Sequence, residues 1–209
     1  MPVIATFADF VSFFFGGGAV AFQRDCVTVS DPMYDAQTVV RFYSKLFSES
    51  CIVLRGYERS SVDAGFAAMV DPNVPMCLME LIWQANVPLN LREKMIMSIV
   101  SLYRDFFDHD PLFGTPFMWW DRIAYDFECG NRQRSDNFET ARLQDCIMDA
   151  LVQILSLPSI HSQRAALHGL GHLHHPRTRE VIERYLARRI DVSPDLAGYA
   201  RQAAAGLIE

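Results

Sequence analysis

The stretch HSQRAALHGLGHLHHPRTRE, from His161 to Glu180, holds five of the six histidines in this 209-residue chain. Because successive residues of a helix are about 100° apart, His161, His168 and His172 share one side, within about 40° of arc. The three leucines of the stretch fall on the opposite side. A helix with this pattern buries its leucines, so its histidines should face solvent, a neighbouring helix or a ligand.

A short motif in the same helix recurs near the C-terminus. RAALHGL, from Arg164 to Leu170, matches RQAAAGL, from Arg201 to Leu207, at an offset of 37 residues. Periods of about 40 residues with two helices per unit are typical of helical solenoids. We expect the glycine in each copy to let a neighbouring helix come close, as the stacking of such units requires.

The residues Ala165–Leu186 resemble the second helix, the turn and the next first helix of HEAT-like repeats, in particular those of uncharacterised bacterial proteins. The resemblance covers residues 138–209. It implies stacked antiparallel helix pairs whose second helices line a concave surface that binds proteins, peptides or nucleic acid. It implies no catalytic residue and no cofactor.

Helix signals also recur upstream, whereas strand-like alternation is almost absent. The sequence therefore predicts an all-α fold of about ten helices, stacked as antiparallel pairs in a short, irregular, right-handed HEAT-like solenoid that is clearest after Phe138. We expect one domain over residues 1–209. The polar stretch Glu128–Asn137 is a candidate hinge inside it.

The composition limits the class of partner and the location. A net charge of −6 and a pI near 5.5 argue against nucleic-acid binding. The apolar N-terminal segment is interrupted by Asp9 and by three consecutive glycines, which argues against a membrane span. Five scattered cysteines without a CxxC pair predict reduced core residues, and hence a cytoplasmic protein. The HEAT-like resemblance implies that it is of bacterial type.

A metal site is one alternative for the histidines. His168 and His172 are four residues apart, a spacing that can bring two imidazoles to one ion. The zinc-protease motif HExxH is absent, because Gly169 stands where its glutamate would be. Further ligands would have to come from distant segments, with Asp121 and His109 as candidates. His175 should lie outside the helix, because Pro176 disfavours helical geometry at the residue before it.

A second group of candidate residues lies in FMWWDRIAYDF, from Phe117 to Phe127. Trp119 and Trp120 are about 100° apart on a helix, so both cannot point into the same core. One interpretation exposes Trp119 at an interface beside Asp121, where an indole would anchor a partner. The other buries both indoles between two layers of helices.

No nucleophile elbow, P-loop or dinucleotide-binding motif is present in the sequence. The leading hypothesis is a non-enzymatic module that binds a protein partner through a groove, such as an inhibitor of the immunity-protein kind. The predicted binding residues are His161, His168, His172, His175, Trp119 and Asp121. The main alternative is a metal-dependent enzyme or regulator that uses His168 and His172, and the second is a HEAT-like nucleic-acid binder. The histidines could equally serve contacts between repeats, and the oligomeric state stays open.

Overall fold

Helices dominate the computed structural model, which describes residues 3–24, 32–112, 114–189 and 192–208. These residues form eleven α-helices and two strands of two residues each, so the predicted all-α class is confirmed. None of the helices described is long and apolar enough to cross a membrane.

The chain divides into two compact units, Met1–Phe106 and Phe107–Glu209. The candidate hinge at Glu128–Asn137 lies inside the second unit, from the last residue of one helix to the cap of the next. All histidines of the candidate site belong to this second unit.

The first unit contains six helices and two short strands. The strands pair in parallel, with Val3 opposite Met33. A π-helical turn, Tyr103–Phe107, follows the last helix of this unit. In chain order the elements are β1 (Val3–Ile4), α1 (Phe7–Phe15), α2 (Gly18–Arg24), β2 (Met33–Tyr34), α3 (Ala36–Val53), α4 (Arg59–Ala68), α5 (Leu78–Trp83) and α6 (Leu89–Leu102).

Aromatic side chains fill the core of the first unit. Phe10 of α1 packs edge-on against Tyr43 of α3 and against Phe14, with ring centres 4.9 and 5.2 Å apart. The Tyr43 hydroxyl donates a hydrogen bond to the Met76 carbonyl at 2.8 Å. Burial raises the pKa of Tyr43 well above its ordinary value, so the phenol stays protonated and supports the fold.

The second unit contains five helices. They are α7 (Thr115–Glu128), α8 (Phe138–Leu155), α9 (Ile160–Leu173), α10 (Thr178–Arg188) and α11 (Pro194–Ala205).

The central helix of the second unit is α9, which packs against the other four. Two of them run antiparallel to it. Gln144 in α8 donates to the carbonyl of Leu173 at the end of α9 at 3.0 Å. Tyr185 near the end of α10 donates to Gln163 near the start of α9 at 2.8 Å. Both hydrogen bonds are buried, so they hold α8 and α10 against α9 away from water.

The other two neighbours, α7 and α11, run parallel to α9. Along α7, the ring of Phe117 lies 4.2 Å from His168, and Tyr125, further along, lies 6.0 Å from His172.

Along α11, Tyr199 contacts His168, and Ala203, one turn later, faces Gly171 of α9. Helices α7, α9 and α11 therefore lie side by side in the same direction.

Two local features of the backbone start and end α9. The Ser159 hydroxyl caps the first turn by accepting from the His161 backbone N–H at 3.2 Å. The helix ends at His174, whose φ of 48° is left-handed, two residues before Pro176. His175 consequently lies outside the helix, as predicted.

The two repeat glycines have different roles, which corrects the expectation that each allows close helix contact. Gly169 lies in the interior of α9, and a Cβ there would be 2.7 Å from Leu151 and 2.8 Å from Trp120. Gly206 instead follows the end of α11 with a φ of 66°, and a Cβ there would be 3.6 Å from the ring of His174. The first glycine is required for packing, and the second for ending a helix.

The cysteines were predicted to be core residues, and this is true of Cys77 and Cys146. Cys51, on α3, and Cys129, directly after α7, are exposed, so the prediction is wrong for these two residues. Cys26 lies outside the described residues.

Candidate metal centre

The site lies on the facing sides of α7 and α9. Asp121 and Glu128 are seven residues apart on α7, and His168 and His172 are four residues apart on α9. Both spacings place side chains on one face of a helix. Each helix therefore presents two titratable groups to the other, and α11 adds Tyr199 from the opposite side of His168.

Gly169 makes the close approach of these helices possible. Any side chain at this position would meet the indole of Trp120 on α7 and the side chain of Leu151 on α8 at less than 3 Å. A glycine here lets the backbone of α9 lie directly on both neighbours. The residue that rules out the HExxH motif is thus needed to bring His168 and His172 to α7.

Three potential ligand atoms converge between the helices. The Nε2 atoms of His168 and His172 are 3.2 Å apart, and His172 Nε2 is 3.1 Å from an Asp121 carboxylate oxygen. His168 Nε2 contacts the same oxygen, and all three atoms lie within 4.8 Å of one another. Ligand atoms bound tetrahedrally at zinc-like distances are about 3.3 Å apart. The donor set and the two measured separations fit one ion.

The remaining imidazole nitrogens also have polar partners. His172 Nδ1 donates to the Glu128 carboxylate, and His168 Nδ1 is 2.5 Å from the Tyr199 hydroxyl. Because a carboxylate only accepts, His172 carries a proton on Nδ1, which leaves the lone pair of a neutral ring on Nε2. Hydrogen bonds from the second nitrogen to a carboxylate are common behind metal-binding histidines.

The histidines are enclosed, whereas the carboxylates reach solvent. The side chains of His168 and His172 are 2% and 6% exposed, and that of Asp121 is 24% exposed. Glu128 is similar to Asp121, at 29%. An ion at this position would be reached from the carboxylate side.

Electrostatics in the site favour an ionised Asp121 and a protonated His172 in the metal-free protein. Burial by itself would raise the pKa of Asp121, but hydrogen bonds from His168 and His172 outweigh it and hold that pKa below its ordinary value. Burial also opposes protonation of His172, yet the hydrogen bonds with Asp121 and Glu128 prevail and raise its pKa. A metal ion would replace this proton.

His175 belongs to a separate cluster. Its Nδ1 accepts from the Arg177 backbone N–H at 3.1 Å, so its Nε2–H donates to Asp145 at 2.9 Å. Arg134 binds the same carboxylate with two hydrogen bonds of 2.6 and 2.9 Å. Burial lowers the pKa of His175, and Asp145 only partly offsets this effect.

The other predicted site residues lie apart from the group of Asp121, His168 and His172. His161 is exposed at the start of α9, and His109, a candidate ligand, is exposed and outside the group of converging ligand atoms. Trp119 was predicted at an interface, but it is fully buried with Trp120 and packs edge-on against Phe107 at 5.9 Å. The interpretation with both indoles buried between helices is therefore correct.

The side of α9 that carries His161, His168 and His172 is mostly covered. Eleven of the fourteen residues of α9 are buried, including His168 and His172. Of the three predicted surroundings, which are solvent, a neighbouring helix or a ligand, a neighbouring helix applies to His168 and His172. Among the three histidines of α9, only His161 faces solvent.

Two residues of the site were not predicted. Glu128 had a usable signal, because it follows Asp121 by seven residues and so shares its helix face. Tyr199 had none, because it comes from α11, 31 residues after His168.

No known protein family, curated protein or solved structure matches this chain.

Proposed function

We propose that this protein binds one divalent transition-metal ion between α7 and α9, with Asp121, His168 and His172 as ligands. The observation that carries the proposal is the convergence of two imidazole nitrogens and one carboxylate oxygen, with separations of 3.1 and 3.2 Å. Three acceptor atoms this close repel one another unless a cation lies between them. The cation is either a proton or a metal ion.

The donor set favours a zinc-like ion over magnesium or calcium. Two imidazoles and one carboxylate suit zinc and its neighbours in the transition series, whereas magnesium and calcium prefer oxygen ligands. Three protein ligands leave at least one coordination position for water or another molecule, as in catalytic zinc sites. We therefore propose metal-dependent catalysis or regulation as the function. The predicted cytoplasmic location remains part of the proposal.

The test is the metal content of protein purified without an affinity tag and loaded with zinc. We expect one zinc ion per chain, and loss of that ion in His168→Ala and in Asp121→Ala. His161→Ala is the matched control, because it removes an exposed histidine from the same helix. A metal content below one ion per two chains, or equal loss in the control, would contradict the proposal.

The HEAT-like arrangement of residues 138–209 is part of the same proposal. It is supported by the parallel alignment of α9 and α11, since second helices of stacked pairs lie side by side in this way. Helix α7, which precedes these residues, continues the same alignment. The HEAT-like arrangement is also supported by α8 and α10, which are antiparallel to α9. The metal ligands would then lie between two second helices.

A second candidate function is binding of a protein partner through the same helices. It is favoured by Met118 and Tyr125, which are each 52% exposed on α7, seven residues apart. Large apolar and aromatic side chains of this kind anchor protein interfaces. The small size and acidity of the chain support an inhibitory role of the immunity-protein kind for such binding.

Capture experiments with matched variants test this second candidate. We expect the double variant Met118→Ser, Tyr125→Ser to lose a protein that the unaltered chain retains from lysate. Phe138→Ser is the control, because Phe138 is 72% exposed at the start of α8. Equal retention by all three proteins would exclude α7 as the binding surface.

A further inference from the structure

A groove lies between α8 and α10 in the second unit. Both helices pack against α9, and the space between them is a cavity of about 310 Å³. Cavities that bind small molecules have volumes of roughly 300–1,000 Å³. The groove is therefore large enough for a small ligand, and none of the residues that line it belongs to the metal cluster.

The walls of this groove are mainly apolar. They are formed by four side chains from α8 and α10, namely Val152, Leu155, Val181 and Tyr185. The Tyr185 hydroxyl donates to Gln163 on α9 at 2.8 Å, so its polar atom is used inside the fold and its ring remains for the groove. The Ser156 hydroxyl, also in the wall, donates to the carbonyl of Gln153 at 2.6 Å. A ligand in the groove would therefore meet apolar surface.

The charged residues that line the groove are all positive. Among the described residues it is lined by three arginines and by no aspartate or glutamate, and the arginines are Arg184, Arg188 and Arg189. Arg184 and Arg188 are exposed and four residues apart on α10, so their guanidinium groups share one side of the helix and repel each other. Glu180 pairs with Arg184, but this exposed pair is weak. Arg188 forms no ion pair within the part of the chain that the structure describes.

An anion would relieve the repulsion between Arg184 and Arg188. Each guanidinium has five N–H donors in a planar fork that matches the oxygens of a carboxylate or a phosphate, so Arg184 can bind an anion while it contacts Glu180. The end of α10 carries about half a negative charge from the helix dipole, which opposes an anion there. This effect is smaller than the full positive charge of Arg188 alone.

We propose that the groove between α8 and α10 binds a small amphipathic anion, with a hydrocarbon body against the apolar walls and a carboxylate or phosphate head group against Arg184 and Arg188. The body supplies most of the affinity, since each buried CH₂ group strengthens binding by about fourfold. The arginines select a negatively charged head group. The site is independent of the metal centre, because its residues come from the other two helices that flank α9.

Calorimetric titration of the metal-free 209-residue chain with octanoate and with octyl phosphate tests the groove. Metal-free protein is used so that the head group does not bind an ion at the metal centre. We expect one of the two amphiphiles to bind at one molecule per chain, at least tenfold more tightly than octanol, which lacks the charge, and than acetate, which lacks the body. The amphiphile that binds more tightly distinguishes a carboxylate from a phosphate head group.

Matched variants locate the bound molecule. Arg188→Ala should weaken binding by about tenfold, because it removes charge-assisted hydrogen bonds to the head group. Val152→Ser should weaken it by about fourfold or more, because it removes apolar contact with the body. Arg179→Ala is the control, since it removes the same charge from α10 at an exposed residue that pairs with Glu183 outside the groove, and it should bind normally.

The result that would overturn the proposal is clear-cut. Absence of saturable binding by both amphiphiles, equal affinity for octanol, or equal affinity in Arg188→Ala and Arg179→Ala would each exclude an anion site in the groove. His168→Ala should bind the amphiphile as tightly as the unaltered chain does. Failure of the metal site would therefore leave this test unaffected.

Discussion

Two histidine clusters at opposite ends of one short segment use the same residue types differently. In the cluster of His168 and His172, the Nε2 atoms converge on one carboxylate oxygen and on each other. In the His175 cluster, each ring nitrogen has its own partner, and Arg134 neutralises the carboxylate of Asp145. Convergent lone pairs require a shared cation, whereas separately paired nitrogens do not. The comparison therefore supports the proposed metal site at the first cluster and a structural role for the second.

The largest expected effect is on stabilisation by metal. Zinc at about a thousand times its dissociation constant should raise the free energy of unfolding by about 4 kcal/mol. His172→Ala should lose this gain, because it removes a ligand, and His175→Ala should keep it on a lower baseline. Urea denaturation with and without zinc measures both. An equal gain in His172→Ala would end the distinction between the clusters.

The next effect concerns the packing that brings the first cluster together. Gly169→Ala should destabilise the protein by about 1–3 kcal/mol, because the added methyl group overlaps Trp120 and Leu151. It should also weaken zinc binding, since α9 must move away from α7. Gly198→Ala is the control: that glycine lies inside α11 with open space around it, and the change should stabilise by about 0.5–1 kcal/mol. Urea midpoints compare the two variants, and equal stability would show that close contact at Gly169 is not required.

A smaller effect should distinguish the clusters by pH in metal-free protein. The pKa of His172 is raised, so its stabilising contribution is complete below about pH 6.5 and is lost as pH rises through its folded-state pKa. The pKa of His175 is lowered, so its contribution is complete above about pH 6.5 and falls as the solution becomes more acidic. The free-energy difference from wild type should therefore shrink with rising pH for His172→Gln and with falling pH for His175→Gln. Parallel pH profiles would refute the assigned protonation states.

The smallest effect is expected at the exposed end of the same helix. His161→Ala should change the free energy of unfolding by less than about 0.5 kcal/mol, because its side chain is exposed. Zinc affinity, measured by competition with a chelator, should also be unchanged. A clear loss of stability or of zinc affinity would mean that His161 acts together with His168 and His172.

Much of the fold follows from local sequence. Pro176 places the end of α9 correctly, because a proline restricts the backbone of the residue before it. The spacing of His168 and His172 likewise indicates a pair on one face. The burial of Trp119 and of the histidines depends instead on which helices cover α9 and α7. A helical projection assigns faces but does not say how many of them are covered.

The sequence by itself determined an all-helical protein, the position of α9 and the histidine pair that it carries, since these depend on helix periodicity and local backbone preferences. Only the tertiary structure decided that Asp121 completes the pair, that Glu128 and Tyr199 orient it, and that His175 belongs elsewhere. Asp121 and Tyr199 lie 47 residues before and 31 residues after His168 in the chain. Contacts across such separations depend on the packing of whole helices, here through the missing side chain of Gly169, and no local pattern encodes them.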